Sequence, residues 1–151
     1  LMGIQGGISA ASAANAVRAF RAALESAALD LAKSGTIAMG KDLIPRIDGH
    51  AINPRRVDTA ETRDGWAWAV EQATGTPVGA TSAAKYAYGT AGTVGSHARV
   101  VLTHEAPQAE LVEYGAPNMR PGYHLRDATR TADALAERLA DPVVAAAMRA
   151  A

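Results

Sequence analysis

The residues able to do chemistry are few and do not converge. Four histidines, His50, His97, His104 and His124, are scattered without an i, i+4 pair or an H-E-x-x-H signature, so the spacing gives zinc no local support. Asp58, Glu61 and Asp64 form a carboxylate cluster of the kind that could hold a divalent cation or perform acid/base work. They are interleaved with Arg55, Arg56 and Arg63, a pattern that reads as a solvated, self-neutralising surface. The chain has no G-x-S-x-G elbow, no phosphate-cradling G-x-x-x-x-G-K-[ST] and no cysteine, which removes thiol nucleophiles, disulfides and thiolate metal sites. A small cytosolic enzyme using Asp58, His97 or His104 in a cleft between helix and sheet remains the alternative from a different class, but nucleophile, base and orienter cannot be lined up from the sequence. No catalytic residue, cofactor or metal is assigned.

Trp66 and Trp68 could stack on bases, as aromatic residues do in single-strand binders. Lys and Arg do not surround them, and as the largest apolar side chains in an alanine-rich chain they are better spent packing against the first helix. Lys+Arg and Asp+Glu both number 15, so the excess of positive charge typical of dedicated nucleic-acid binders is absent. No apolar run reaches the length of a membrane span, and the start, Leu1 to Gly7, has neither the basic nor the apolar region of a signal peptide; the expectation is a soluble, unexported protein with no membrane partner.

The elements that would position these residues follow from periodicity. Val17, Phe20, Leu24, Ala27 or Ala28 and Leu31 recur at helical spacing and predict a long helix over 9–34, capped by Ser9 or Ser12 and ended by Gly35. Pro45, Asp48-Gly49 and Asn53-Pro54 predict a loop over 45–64. Trp66, Trp68 and Val70 alternate with Ala67, Ala69 and Glu71, which predicts a strand over 65–71. Residues 74–96 carry five glycines and Pro77 and read as a flexible arm, mobile in a free subunit and ordered by a partner; Tyr86, Tyr88 and Val94 would anchor it, and Lys85 would meet an acidic rim. The competing view is a local hairpin pairing residues 83–88 with 92–101. Strands at Ala98 to His104 and Gln108 to Tyr114 form a predicted hairpin over 98–114. Helices over 124–139 and 142–150 close the chain, the second started by Asp141-Pro142. The fold class is α+β: a long N-terminal helix and C-terminal helices on a small, mostly antiparallel sheet, in one domain spanning 1–151.

Alanine makes up roughly a quarter of the 151 residues, with one Phe, two Trp and four Tyr. Such a core buries little area per side chain, so neighbouring copies can supply the missing burial; codon bias in a GC-rich genome explains the same composition.

The segment Gln108-Ala109-Glu110-Leu111-Val112-Glu113-Tyr114-Gly115-Ala116, followed by Met119-Arg120-Pro121 and then Leu125-Arg126-Asp127-Ala128, resembles a pattern of the head-tail joining or tail-completion (neck) proteins of long-tailed bacteriophages. In that family a strand ends in a hydrophobic-Glu-aromatic-Gly signature before a proline-bearing turn and a last helix. Val57-Asp58-Thr59-Ala60 to Trp66 is similar to the family's Val-Asp-Thr-Gly stretch, which also leads into a strand; Ala60 replaces the glycine, and Tyr123-His124 stands where Pro-Phe is common. The resemblance implies a virion protein of the neck, assembled in the host bacterial cytoplasm. It would form a ring, by analogy a hexamer, between the portal-side head connector and the tail terminator or tail tube, with genomic DNA passing through the lumen without sequence-specific contacts. The alternative within the class is the tail terminator ring itself. Interface candidates are Glu113 and Arg120, opposite charges flanking a turn, with Tyr114, Gly115, Tyr123, Tyr86 and Tyr88. The simpler reading of the same residues is that Tyr114 packs inward, Gly115 permits a positive φ and the charges face water.

Overall fold

The computed structural model describes residues 9–49, 59–81, 83–95, 97–117 and 120–150. The fold is α+β, with helices at both ends of the chain and one antiparallel hairpin between them. Its elements run α1 (Ala10–Asp48), α2 (Thr59–Thr74), β1 (Ala87–Val94), β2 (His97–His104), α3 (Pro107–Tyr114) and α4 (His124–Ala150).

Helix α1 begins where expected, with the Ser9 hydroxyl accepting from the Ser12 amide at 3.0 Å. It does not stop at Gly35. It continues to Asp48, about 58 Å in all at 1.5 Å per residue, because the apolar stripe continues through Met39, Leu43, Ile44 and Ile47. This second half, not the predicted stripe, is the buried one: Val17 is 65% exposed whereas Leu43 is 1% exposed. Gly35 and Gly40 lie within the helix at contact points, an added Cβ standing 3.7 Å from Ala132 and 3.1 Å from Val70, respectively. Pro45 falls in the last turn, where its missing N–H removes one bond near an end that frays anyway, so it shapes the terminus instead of breaking the helix earlier. Of the predicted loop over 45–64, residues 45–48 finish α1 and 59–64 open α2; the residues between, with His50, Arg55, Arg56, Val57 and Asp58, lie outside the described residues.

The predicted strand over 65–71 is part of helix α2. Its burial runs Thr62, Gly65, Ala69 and Ala73, spacings of three and four, and the Trp/Ala alternation coincides with that helical face without setting it. Alanine-rich sequence favours the helix intrinsically, and small residues let other elements come close. Trp66 packs against the cluster of Met39, Leu43, Ile47, Val70 and Ala128 that joins α1, α2 and α4.

The partner of β2 is not the 108–114 segment but β1, drawn from the glycine-rich stretch. Register runs from Ala87 opposite His104 to Val94 opposite His97, with Gly95 at φ +62° in the turn. The expected flexible arm over 74–96 is therefore a hairpin strand over 87–94 preceded by a clasped loop. Its glycines have a packing reason: a Cβ on Gly89 would collide with the carbonyl of Ala69 in α2, so the strand can lie on the helix only without a side chain there. Residues 107–114 form α3, since Pro107 is pre-organised for the first helical turn and Ala109 and Val112 bury one face at i, i+3. Helix α4 is a single element of about 40 Å. Pro142 lies inside it rather than starting a second helix, and Arg138, whose carbonyl the missing proline N–H leaves unpaired, is exposed, so water can take that carbonyl. The predicted stripe of α4 does face the protein: Ala128 is fully buried, and Leu125, Ala132, Leu135 and Leu139 are half-buried.

The contact between Gly89 and α2 makes a sharp expectation. Gly89→Ala should lower stability by about 2–3 kcal/mol through overpacking against a backbone carbonyl that cannot rotate away. Gly92→Ala, where an added Cβ meets nothing, should cost about 1 kcal/mol or less. Urea denaturation of the two variants checks this; equal losses would refute the close packing.

Candidate interaction surfaces

The predicted site residues fall into two groups. At the α3–α4 joint, Glu113 is not an outward charge. Its carboxylate accepts from the backbone N–H groups of Leu125 at 2.9 Å and Arg126 at 3.0 Å, satisfying orphan donors at the start of α4 and placing negative charge at the helix's positive end. The expected Glu113–Arg120 pair facing a neighbour is thus corrected on the acidic side; Arg120 is exposed, and Met119 beside it lies outside the described residues. Backbone bonds lock the same joint, Gly122 N–H to Val112 O at 2.9 Å and Tyr123 N–H to Glu113 O at 3.0 Å. Gly115 ends α3 at φ +83°, ψ 177°, a conformation essentially restricted to glycine. Tyr123 sits at φ +50° with the Arg126 guanidinium 4.2 Å from its ring centroid. Tyr114 does not pack inward: it is 68% exposed, and Leu111 on the same short helix is 39% exposed.

The second group lies on the hairpin. The inner face, with Gly89 and Leu102, meets the helices, and the opposite face carries Tyr88, Thr90 and Val94 across from Thr103, Val101 and His97. Tyr88, Val94 and Val101 are large and exposed there, as is Tyr86 just before the strand, with Lys85 Nζ 5.3 Å from the Tyr86 ring.

The two histidines offered for catalysis are kept apart. His97 and His104 stand at opposite ends of β2, an odd number of residues apart, hence on opposite faces, separated by about 23 Å of strand. His104 is enclosed. It stacks edge-on against Trp66 at 5.2 Å, its Nδ1 accepts from Ala106 N–H, and its ring fills the space that a side chain on Gly65 would need. Burial pushes its imidazole below the usual range in spite of the Glu61 and Thr62 backbone groups and the Glu61 charge, which act the other way. His124 is buried at the start of α4. Among the described residues no three His, Asp or Glu side chains gather where they could hold a metal ion.

Of the acidic cluster, Asp58 lies outside the described residues, with Arg55 and Arg56, while Glu61, Arg63 and Asp64 are tied to other elements and are not a freely solvated face. Arg63 binds Asp48 and Asp64, each at 2.9 Å, and the carbonyl of Gly79 at 2.8 Å; Asp64 also accepts from the Thr81 hydroxyl, and Glu61 accepts from Gln108 at 3.2 Å. Two turns on, Glu71 accepts from the N–H groups of Val78, Gly79 and Ala80 at 2.8, 3.0 and 3.0 Å. These side chains clasp the loop after α2 onto the helix. Sequence reasoning missed Glu71 because only the fold brings its three donors to it.

It also missed a basic groove between α1 and α4, of about 670 Å³, lined by Arg46, Arg126, Arg130 and Arg138 with Asp127 among them. Arg46 lay in the stretch read as loop, while the spacing of Arg126 and Arg130 by four was a visible signal. Asp127 accepts from Arg126 at 3.0 Å and lies 3.7 Å from Arg130; the Arg126 bond holds its carboxyl below the usual range, against some desolvation and with the charges of Arg126, Arg130 and Arg46. Asp42 accepts from Arg46 and from Thr131, both at 2.9 Å.

Comparison of the chain with protein-family models, with curated proteins and with solved structures returned no match. Among the described residues, no helix is long and apolar enough to cross a membrane.

The Glu71 clasp gives a pH expectation. Burial alone would raise its pKa, but the three backbone bonds outweigh burial and hold it below the ordinary 4.5. The clasp's stabilisation is then present above that value and lost as pH falls through the lower folded-state value. Glu71→Ala should cost about 1–3 kcal/mol at neutral pH. The gap between the variant and the native chain should close in acid; a gap unchanged from pH 7 to pH 2 would contradict the charge-assisted clasp.

Proposed function

We propose that the chain is a self-associating structural subunit without chemistry of its own, and that it forms a closed ring at the head-to-tail junction of a long-tailed bacteriophage or a particle derived from one. The observation that carries the reading is the placement of bulk. Tyr86, Tyr88, Val94 and Val101 on the hairpin and Tyr114 and Leu111 on α3 stand in water, while the central cluster is built on Met39, Leu43, Ile47, Val70 and Ala128. Rigid aromatic and β-branched groups held outward are the kind that anchor interfaces. Two distinct patches on one chain suit a heterologous contact, the hairpin of one copy on the α3 face of the next, which generates a ring when the rotation closes.

The phage assignment is supported by the motif residues. Glu113, Gly115, Leu125 and Arg126, which carry the resemblance, meet at the α3–α4 joint. It draws nothing from strand positions, since 65–71 and 108–114, strands in the family pattern, are helical here. The joining and terminator roles are separated by gene deletion: tails of normal length that fail to attach to heads indicate joining, and tails of uncontrolled length indicate the terminator.

Analytical ultracentrifugation at micromolar concentration should show a closed oligomer, with a hexamer expected. Val94→Asp on the hairpin and Tyr114→Asp on α3 should each weaken assembly at least tenfold, about 1.4 kcal/mol, with the fold intact by circular dichroism. A monomer inside assembled particles, or rings indifferent to both substitutions, would overturn the proposal.

A further inference from the structure

The groove between α1 and α4 is rich in arginine. Its lining carries arginine from both helices, Arg46 from α1 and Arg126, Arg130 and Arg138 from α4, with Asp127 as the one acidic lining residue, and is otherwise uncharged. Along α4 the three arginines span about 18 Å, with Arg126 and Arg130 about 6 Å apart in axial rise. Two are already oriented. Arg126 lies on the Tyr123 ring and is held through Nε by Asp127, and Arg46 is held through Nε by Asp42, which leaves the two terminal nitrogens of each guanidinium at the outer end of a side chain 53% and 41% exposed. Arg130 is 73% exposed. Four guanidinium groups against two carboxylates keep the groove positive although the whole chain carries no net charge.

We propose that this groove is a binding site for the phosphates of a linear polyanion, either a nucleic-acid backbone or an inorganic polyphosphate chain. A planar guanidinium pairs with phosphate through two parallel hydrogen bonds, and pre-orientation by Asp42, Asp127 and Tyr123 lowers the entropy lost on binding. The row along α4 suits a repeating charge better than a single anion. An acidic protein segment fits less well, because the groove offers no aromatic residue or deep apolar socket to anchor peptide side chains, whereas phosphate contacts need only charge and reach. Base identity is not read by such a site. The inference stands whether or not the chain forms a ring.

The test measures fluorescence anisotropy of a labelled oligodeoxythymidylate of about 20 nucleotides with the full chain, across a salt series. Binding should weaken with salt on a logarithmic slope on the order of −2 to −3, from about 0.7 per phosphate neutralised and up to four arginines. Arg126→Ala with Arg130→Ala should lower affinity at least about tenfold and reduce the slope by about 0.7 per arginine. Arg138→Ala, which leaves the Tyr123 and Asp127 contacts untouched, should weaken binding in the same direction. Competition assigns the source: displacement by duplex or single-stranded DNA below the charge-equivalent concentration of polyphosphate indicates nucleic acid, and the reverse order indicates polyphosphate. Absence of binding at low salt, binding indifferent to the three substitutions, or displacement by poly-glutamate as effective as by either phosphate polymer would overturn the proposal.

Discussion

The structure depends on how closely α2 lets other elements approach. On one side Val70 meets α1 at Gly40; on another the hairpin lies on Ala69 and Ala73 through Gly89; at Gly65 the ring of His104 occupies the place of a side chain. Each contact brings a side chain, a ring or a backbone against a bare glycine, gaining dispersion where bulk is absent. That is how a chain with so few large side chains buries Ala67, Ala69 and Val70 completely. The same arrangement leaves little tolerance. A methyl group at Gly89 has nowhere to go, because a backbone carbonyl cannot change rotamer, and one at Gly65 would have to displace the His104 ring from a close-packed site.

Polar groups do the complementary work where the chain changes direction. Glu71 gathers three consecutive amides after α2, and Glu113 gathers two amides at the start of α4. In both places a carboxylate on one helix satisfies backbone donors on the next segment, so the turn is fixed by a charge-assisted bond and not by local turn chemistry. This helps fix the directions in which Tyr114 and Tyr123 stand, since the Glu113 carboxylate and the backbone bonds beside it tie the end of α3 to the start of α4.

How much was legible in the sequence depends on whether the signal was local. The start of α1 at Ser9, the strand over 98–104 and the apolar stripe of α4 were readable because cap, β-branched run and periodicity sit in neighbouring residues. The end of α1 was not, because Gly35 and Pro45 carry the same local signature whether they stop a helix or lie within one, and only Ala132 pressing on the first decides. Trp66, Trp68 and Val70 misled for a related reason: six residues of alternation match a strand while Thr62, Gly65, Ala69 and Ala73 keep the longer helical period. Among the candidate interface residues, the exposed tyrosines at 86, 88 and 114 were legible by type. Glu113 was not, because its partners lie twelve and thirteen residues away.

The thin core and the outward-facing bulk are two sides of one constraint. A helix whose inner face is made of alanine and glycine packs tightly but removes little apolar area from water, at about 25 cal/mol per Å², so the isolated chain has limited stabilisation to spare. Apolar area on the hairpin and on α3 is buried only when something covers it. Any partner that binds the folded chain and not the unfolded one adds stability by mass action, in proportion to the logarithm of its concentration over its dissociation constant. Folding and association are then linked. The side chains absent from the core at Gly89 and Gly65 are what hold the hairpin flat on α2, and the flat hairpin is what presents Tyr88, Val94 and Val101 as one continuous face.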